Sequence, residues 1–269
     1  MLYKQNLHTH SNFCDGKDAP EDMIKRAIEL GFDSIGFSGH APMYYSELYN
    51  FNRTDEYVAE IYRLKKVYQG IIDIYCGLEY DMYCGLETDK YEYLIGTVHY
   101  LKSGEKFIPF DRSAEFVKKV IDENFGGDGL KFAKEYYAQL VTLPEYGKFD
   151  IVGHFDLITK NIEMANLFDT SSAKYREYAI DALKELAKSI EIFEINTGAI
   201  ARGYRSVPYP QEFILKEMKN LGCKIIISSD CHDKNYLDCH FKETEEYAKF
   251  CGYKYITVLK DGKFIDIKL

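Results

Sequence analysis

The 269-residue chain has no run approaching the roughly 18 consecutive apolar residues of a membrane-spanning helix, so no membrane partner is expected. Its first residues, MLYKQNLHTHSNF, lack the long apolar core of a secretory signal, and a cytoplasmic location is expected. The seven cysteines are odd in number and scattered, with no CxxC pair; they fit neither a disulfide framework nor a zinc knuckle, and reduced thiols suit them. No GxGxxG or P-loop glycines offer a phosphate cradle, and no GxSxG elbow presents a serine nucleophile at Ser228 or Ser229. Positive charge is short as well. With 34 Lys and Arg against 43 Asp and Glu the net charge is −9, which repels a nucleic-acid backbone. Tryptophan is absent, and that absence excludes nothing.

What is present is ordinary globular material, 46% hydrophobic and 29% charged, without linker, repeat or low-complexity tract. One domain over residues 1–269 is expected. Strand-like runs fall at Tyr3–Leu7, Ser34–Ser38, Ile71–Cys76, Tyr93–Val98, Asp150–Gly153, Ile190–Ile195 and Lys224–Ser228. Helical patterns lie between them: Glu21–Leu30, opened by Pro20 and closed by Gly31, then Asp55–Tyr68, Ala114–Glu123, Leu130–Leu140, Ser172–Lys188, Pro210–Leu221 and Lys242–Phe250. Seven strand-and-helix units argue for an α/β fold with a parallel sheet, and the count suits a closed barrel better than an open sheet. The tail YITVLK-DG-KFIDIKL carries the Asp-Gly signal of a β-hairpin and is expected to cap the barrel.

Polar residues gather where these strands end. His8, His10 and Asp15 follow the first, His40 the second, Glu79 and Asp81 the third, and His99 the fourth. His154 and Asp156 follow the fifth, Glu194 and Asn196 end the sixth, and Asp230 and His232 close the seventh. Six of the seven histidines are placed in this way; His240 precedes the last helix and reads as a surface residue. Strand C-termini share one rim of an α/β barrel, so these segments would converge. Imidazoles massed with carboxylates make a poor core without cations, because unpaired buried carboxylates are costly. Nitrogen and oxygen ligands suit Zn, Mn, Fe or Co, and there are more of them than one ion can take. Cys14 and Cys231 sit beside ligand positions and are expected to point away.

The segments HTHSNFCDG, SGHAP, GLEYD, GTVH, GHFDL and SSDCH, in order from His8 to His232, resemble the polymerase-and-histidinol-phosphatase (PHP) superfamily of metallophosphoesterases. GHFDLITK and EINTGAIARGYRSVPYP resemble its stand-alone histidinol-phosphatases. The resemblance implies a distorted (β/α)7 TIM-like barrel and two or three divalent ions, Zn, Mn or Fe. His8, His10, Glu79 and Asp230 would hold the first, Glu79 with His99 and His154 the second, and Asp15, His40 and His232 the third. The activity so implied is hydrolysis of a small phosphate monoester, L-histidinol phosphate, by a metal-activated hydroxide with no protein nucleophile.

A phosphate dianion approaching an acidic chain needs fixed cations. Arg202 and Arg205 after the sixth strand and Lys160 after the fifth are the candidates, each with the alternative of being a solvated loop charge. Asp81 is the candidate acceptor for the substrate's ammonium or imidazole, or else an outer partner of a ligand histidine. Asp156 reads as an outer partner too. Tyr44, Tyr45 and Tyr49 could form a lid or simply pack. The rival readings are a PHP phosphoesterase for a nucleotide, sugar phosphate or phosphotyrosine peptide, an amidohydrolase-like C–N hydrolase, and a non-catalytic PHP domain.

Overall fold

The computed structural model describes residues 3–49 and 51–269. Its central sheet has seven parallel strands: β1 (Gln5–Asn6), β2 (Ser34–Phe37), β3 (Asp73–Asp81), β4 (Tyr93–Thr97), β7 (Ile151–Val152), β8 (Ile192–Asn196) and β9 (Lys224–Ser228), hydrogen-bonded in that order. The first and last strands exchange backbone hydrogen bonds only beyond their ends. There the His10 amide donates to the Cys231 carbonyl at 2.8 Å and the Cys231 amide to the His8 carbonyl at 3.1 Å. The barrel is thus nearly closed, and its last seam lies on the rim that carries the histidines.

Helices α1 (Pro20–Glu29), α2 (Thr54–Val67), α3 (Ala114–Phe125), α4 (Gly129–Leu140), α5 (Ala173–Leu186), α7 (Glu212–Asn220) and α8 (Phe241–Phe250) surround the sheet, with a single turn, α6 (Gly198–Ala201), after β8. Their starts follow from local chemistry. Proline opens α1, and the side chains of Ser113, Asp128 and Ser172 accept the first free amides of α3, α4 and α5. No helix among the described residues is long and apolar enough to cross a membrane.

The structure revises the sequence reading in three places. The strand expected to stop at Cys76 continues to Asp81, so Glu79 and Asp81 are strand residues facing one side, not loop residues. The stretches around β1 and β7 are extended but paired over only two residues each, because the barrel is distorted there. An antiparallel pair that was not expected, β5 (Tyr100–Ser103) with β6 (Lys106–Pro109), projects after β4 around Gly104.

Inside the barrel, below the histidine rim, Leu7, Tyr93, Ile95, Ile151, Ile192 and Ile226 form a buried apolar layer. Tyr93 reaches across this space, and its hydroxyl donates to the Leu7 carbonyl at 2.5 Å. A Cβ at Gly77 would overlap the Tyr93 ring and one at Gly36 its hydroxyl, so β3 and β2 both need glycine at that level. The C-terminal hairpin, β10 (Tyr255–Lys260) and β11 (Lys263–Lys268), turns at Asp261 and Gly262, both with positive φ. Leu259 joins the interior layer, and Gln5 holds its backbone from both sides: the Leu259 amide donates to Oε1 and its carbonyl accepts from Nε2, each at 2.7 Å. As expected, the hairpin caps the barrel, at the end away from the histidines.

Candidate metal centre

His8 and His10 leave β1 in extended backbone, so both point inward and both are fully buried. Thr9 between them faces the other way, its hydroxyl donating to the Gly36 carbonyl at 2.7 Å. The chain then folds back in a tight turn, where the amides of Cys14 and Gly16 donate to the Ser11 carbonyl. That turn returns Asp15 to the rim, with carboxylate oxygens 3.5 Å from His10, 3.5 Å from His40 and 3.2 Å from His232. At the end of β9, Asp230 has φ 46°, a left-handed conformation unusual for a residue with a Cβ. Its Oδ1 lies 3.1 Å from His10 and 3.6 Å from His232.

Glu79 is the hub. Its Oε2 stands 2.8 Å from His40 Nδ1 and 3.4 Å from both His8 Nε2 and His10 Nε2. Its Oε1 stands 2.9 Å from His154 Nε2 and 3.3 Å from His99 Nε2. Five imidazoles therefore meet one buried carboxylate. Three sets of side chains bring their ligand atoms within 4.8 Å of one another: His10, Asp15, His40 and His232; His8, His10 and Asp230; and His8, Glu79 and His154. His99 lies outside these sets but beside Glu79.

The fit to cations can be judged from unsatisfied atoms. His8 Nε2, His10 Nε2, His40 Nδ1 and Glu79 Oε2 are all buried and have no hydrogen-bond partner of acceptable geometry. Orphaned buried polar atoms are rare because each loses its hydration without replacement. These four, unlike the scattered others, face one hub, and a divalent cation is the partner that satisfies imidazole nitrogen and carboxylate oxygen together. Burial and the neighbouring rings of His232 and His40 push His10 down to about 3, leaving it neutral as a ligand must be. Burial opposes charge on Glu79 and Asp230 too, yet His40 and His8 hold the first, and Arg202 and His8 the second, well below the usual carboxylate range.

Two carboxylates orient ligands from behind. Glu194 Oε1 lies 2.6 Å from His8 Nδ1 and also accepts from the Ser228 hydroxyl. Glu194 Oε2 accepts from the His154 amide at 2.7 Å and from Asn196 at 2.9 Å. Sequence reading assigned Glu194 no role; its inward-facing place in β8 was the available signal. Asp81, read from the sequence either as the substrate's acceptor or as an outer partner of a ligand histidine, takes the second of these positions, beside His99. It is fully buried, with Oδ2 accepting from the His99 amide at 2.8 Å and Oδ1 from the Tyr45 hydroxyl, so it has no path to the cleft.

Above the hub opens a cleft of about 220 Å³, walled outside the imidazole clusters by Tyr49, Asp111, Leu157, Lys160, Arg202 and Tyr204. Arg202 reaches Asp230 Oδ2 at 2.9 Å and its carbonyl at 3.3 Å, and Lys160 meets Asp111 at 2.6 Å. Arg205 is not on this wall. It is buried behind it, donating to Thr159 Oγ1 and lying 3.8 Å from Asp156, so its expected contact with phosphate is replaced by a structural pairing. Of the three tyrosines, only Tyr49 faces the cleft, 4.5 Å from the His40 ring; Tyr45 stacks on Phe107 and Tyr44 is exposed. Ser229 donates to the Leu237 carbonyl, Cys231 to that of Asp233, and Cys14 lies 3.5 Å from His10 Nδ1. All seven cysteines are free, and His240 is largely exposed, away from the site.

Comparison with known proteins places the same residues in context. The family model of the PHP domain matches residues 6–198. A Schizosaccharomyces pombe protein named "Probable histidinol-phosphatase" is 29% identical over 95% of this chain and 89% of its own. The Bacillus subtilis "Histidinol-phosphatase" is 24% identical over 86% and 94%. Among solved structures, the histidinol phosphate phosphatase of Lactococcus lactis, crystallised with zinc, L-histidinol and phosphate, superposes with a TM-score of 0.74 at 20% identity, covering 97% of this chain and 98% of that one.

Proposed function

The chain belongs to the PHP-domain family, and from that premise we propose that it is a metal-dependent phosphate monoester hydrolase converting L-histidinol phosphate to L-histidinol and phosphate. The observation that carries the reading is the set of unpartnered buried atoms converging on Glu79, at the floor of a cleft whose wall bears Arg202 and Lys160. The similarity to proteins named histidinol-phosphatase, which runs over most of the chain, supports the choice of ester.

His8, His10, Glu79 and Asp230 would hold one ion, Glu79 with His99 and His154 a second, and Asp15, His40 and His232 a third, each Zn, Mn or Fe. Bound divalent ions supply Lewis acidity, lowering the pKa of water and offsetting phosphoryl charge. The chain's own groups do the rest. Glu194 and Asp81 fix the ring orientation of His8 and His99 from behind. Arg202 offers a forked cation to phosphate oxygens in a protein of net charge −9. Leu157, Tyr49 and Tyr204 narrow the cleft and exclude water from its sides. The enzyme so read is one unit over residues 1–269, works in the cytoplasm on a small molecule, and needs neither nucleic acid nor membrane.

The test is phosphate release from the metal-reconstituted protein, with L-histidinol phosphate set beside a panel of nucleotide, sugar and aryl monoesters, before and after chelation. Selective release that chelation abolishes is expected. Release from other esters alone would overturn the substrate, and chelator-insensitive release would overturn the metal chemistry.

A further inference from the structure

Outside the imidazole clusters, one carboxylate among the described residues faces the cleft, that of Asp111. It follows β6, where the Phe110 amide donates to the His99 carbonyl and draws this segment over the rim. Its Oδ1 lies 2.6 Å from Lys160 Nζ, and its Oδ2 accepts a long 3.3 Å hydrogen bond from the Tyr49 hydroxyl. A carboxylate has about four acceptor positions, so these two donors leave capacity on the cleft side. The Lys160 ammonium also sits 4.6 Å from the centre of the Tyr204 ring. This corner, an acid flanked by two phenol rings, already holds one alkylammonium group.

Arg202 occupies a different part of the wall, against Asp230 and His232. The cleft thus carries two ion pairs on different parts of its wall, Arg202 with Asp230 near the hub and Lys160 with Asp111 at this corner. A cation on the substrate that shares or displaces Lys160 gains a carboxylate partner at Asp111, a contact that a neutral or anionic group cannot make. L-Histidinol phosphate has such a cation, an ammonium on the carbon next to the ester carbon.

We propose that Asp111 is a specificity residue that accepts the primary ammonium of the substrate, sharing or displacing Lys160, and so selects amino-alcohol phosphates over neutral and more anionic esters. This rests on the L-histidinol phosphate reading above. Of the two roles the sequence leaves open for Asp81, ammonium acceptor or outer partner, the structure supports the second, behind His99, and leaves Asp111 at the cleft.

The test removes the charge from each side in turn. Metal-loaded wild type, Asp111→Asn and Lys160→Met are assayed with L-histidinol phosphate and with its desamino analogue, 3-(imidazol-4-yl)propyl phosphate. Calorimetric titration with the two dephosphorylated alcohols reads binding without turnover. Wild type is expected to favour the amine in both ligand pairs by roughly 10- to 100-fold, the range of one charge-assisted hydrogen bond. Asp111→Asn should collapse that preference, whereas Lys160→Met should lower activity on both esters alike. Equal losses with Asp111→Asn on both esters would overturn the proposal, since Asp111 would then only hold Lys160. A wild type that binds both alcohols equally would overturn it with no variant needed. If wild type releases phosphate from neither imidazole ester but does so from others, the substrate reading itself falls.

Discussion

Replacing Glu194 by glutamine should separate metal affinity from folding stability. Four donors converge on this buried carboxylate: the His8 ring and Ser228 hydroxyl on Oε1, the His154 amide and Asn196 side chain on Oε2. An amide keeps one oxygen and must turn its NH2 toward one of these pairs. The His154 and Asn196 groups are fixed donors, so NH2 on that side would leave two buried N–H groups unsatisfied, about 1–3 kcal/mol each. On the other side Ser228 can rotate and His8 can accept at Nδ1. The amide therefore faces His8, whose proton moves to Nε2, the atom aimed at the hub. Folding loses little, about 1 kcal/mol, or roughly 2–4 °C in Tm for a chain of this size. Metal affinity falls by about 10- to 100-fold, as expected when an orienting partner is lost. Equilibrium dialysis against a buffered series of free Zn or Mn, followed by elemental analysis, reads the affinity, and melting of the chelated protein reads the stability. Unchanged affinity in a folded Glu194→Gln protein would refute the account of His8.

Two further outcomes concern the barrel interior. Gly77→Ala forces a methyl group into the Tyr93 ring and should destabilise by about 1–3 kcal/mol; an unaltered midpoint in urea would mean that the ring does not lie against β3. Leu259→Ala opens a cavity beneath the site and should cost about 2–5 kcal/mol, while kcat measured well below the melting temperature stays as in wild type; a change in kcat without a change in Tm would contradict this separation.

Much of the site was legible because its residues sit in short motifs next to strands, and a parallel barrel collects strand ends on one rim. His8 and His10 needed only the two-residue period of extended backbone. Arg205 was misjudged, and the two readings of Asp81 stayed open, for a different reason. Each is near the site in sequence, but burial of a side chain depends on what packs over it: Asp156 and Thr159 for one, Tyr45 and the His99 amide for the other. Asp111 was missed because it follows a hairpin that sequence patterning did not reveal, YLKSGEKFIP having only Gly104 as a turn signal. Glu194 was visible at the end of its strand, yet its pairing with His8 spans 186 positions and no local pattern encodes it.

The clamp between Gln5 and Leu259 also bears on how the protein is made. The two residues are 254 positions apart, so β1 has no floor beneath it until 254 further residues have been synthesised. At about 5–20 residues per second that interval is roughly 13–50 s. Once made, Leu7, Tyr93 and Ile151 each wait through what remains of it without the side chain that seals them from below. The nascent barrel is a vessel whose base is fitted last, and its dependence on chaperones should be greatest just before the hairpin emerges.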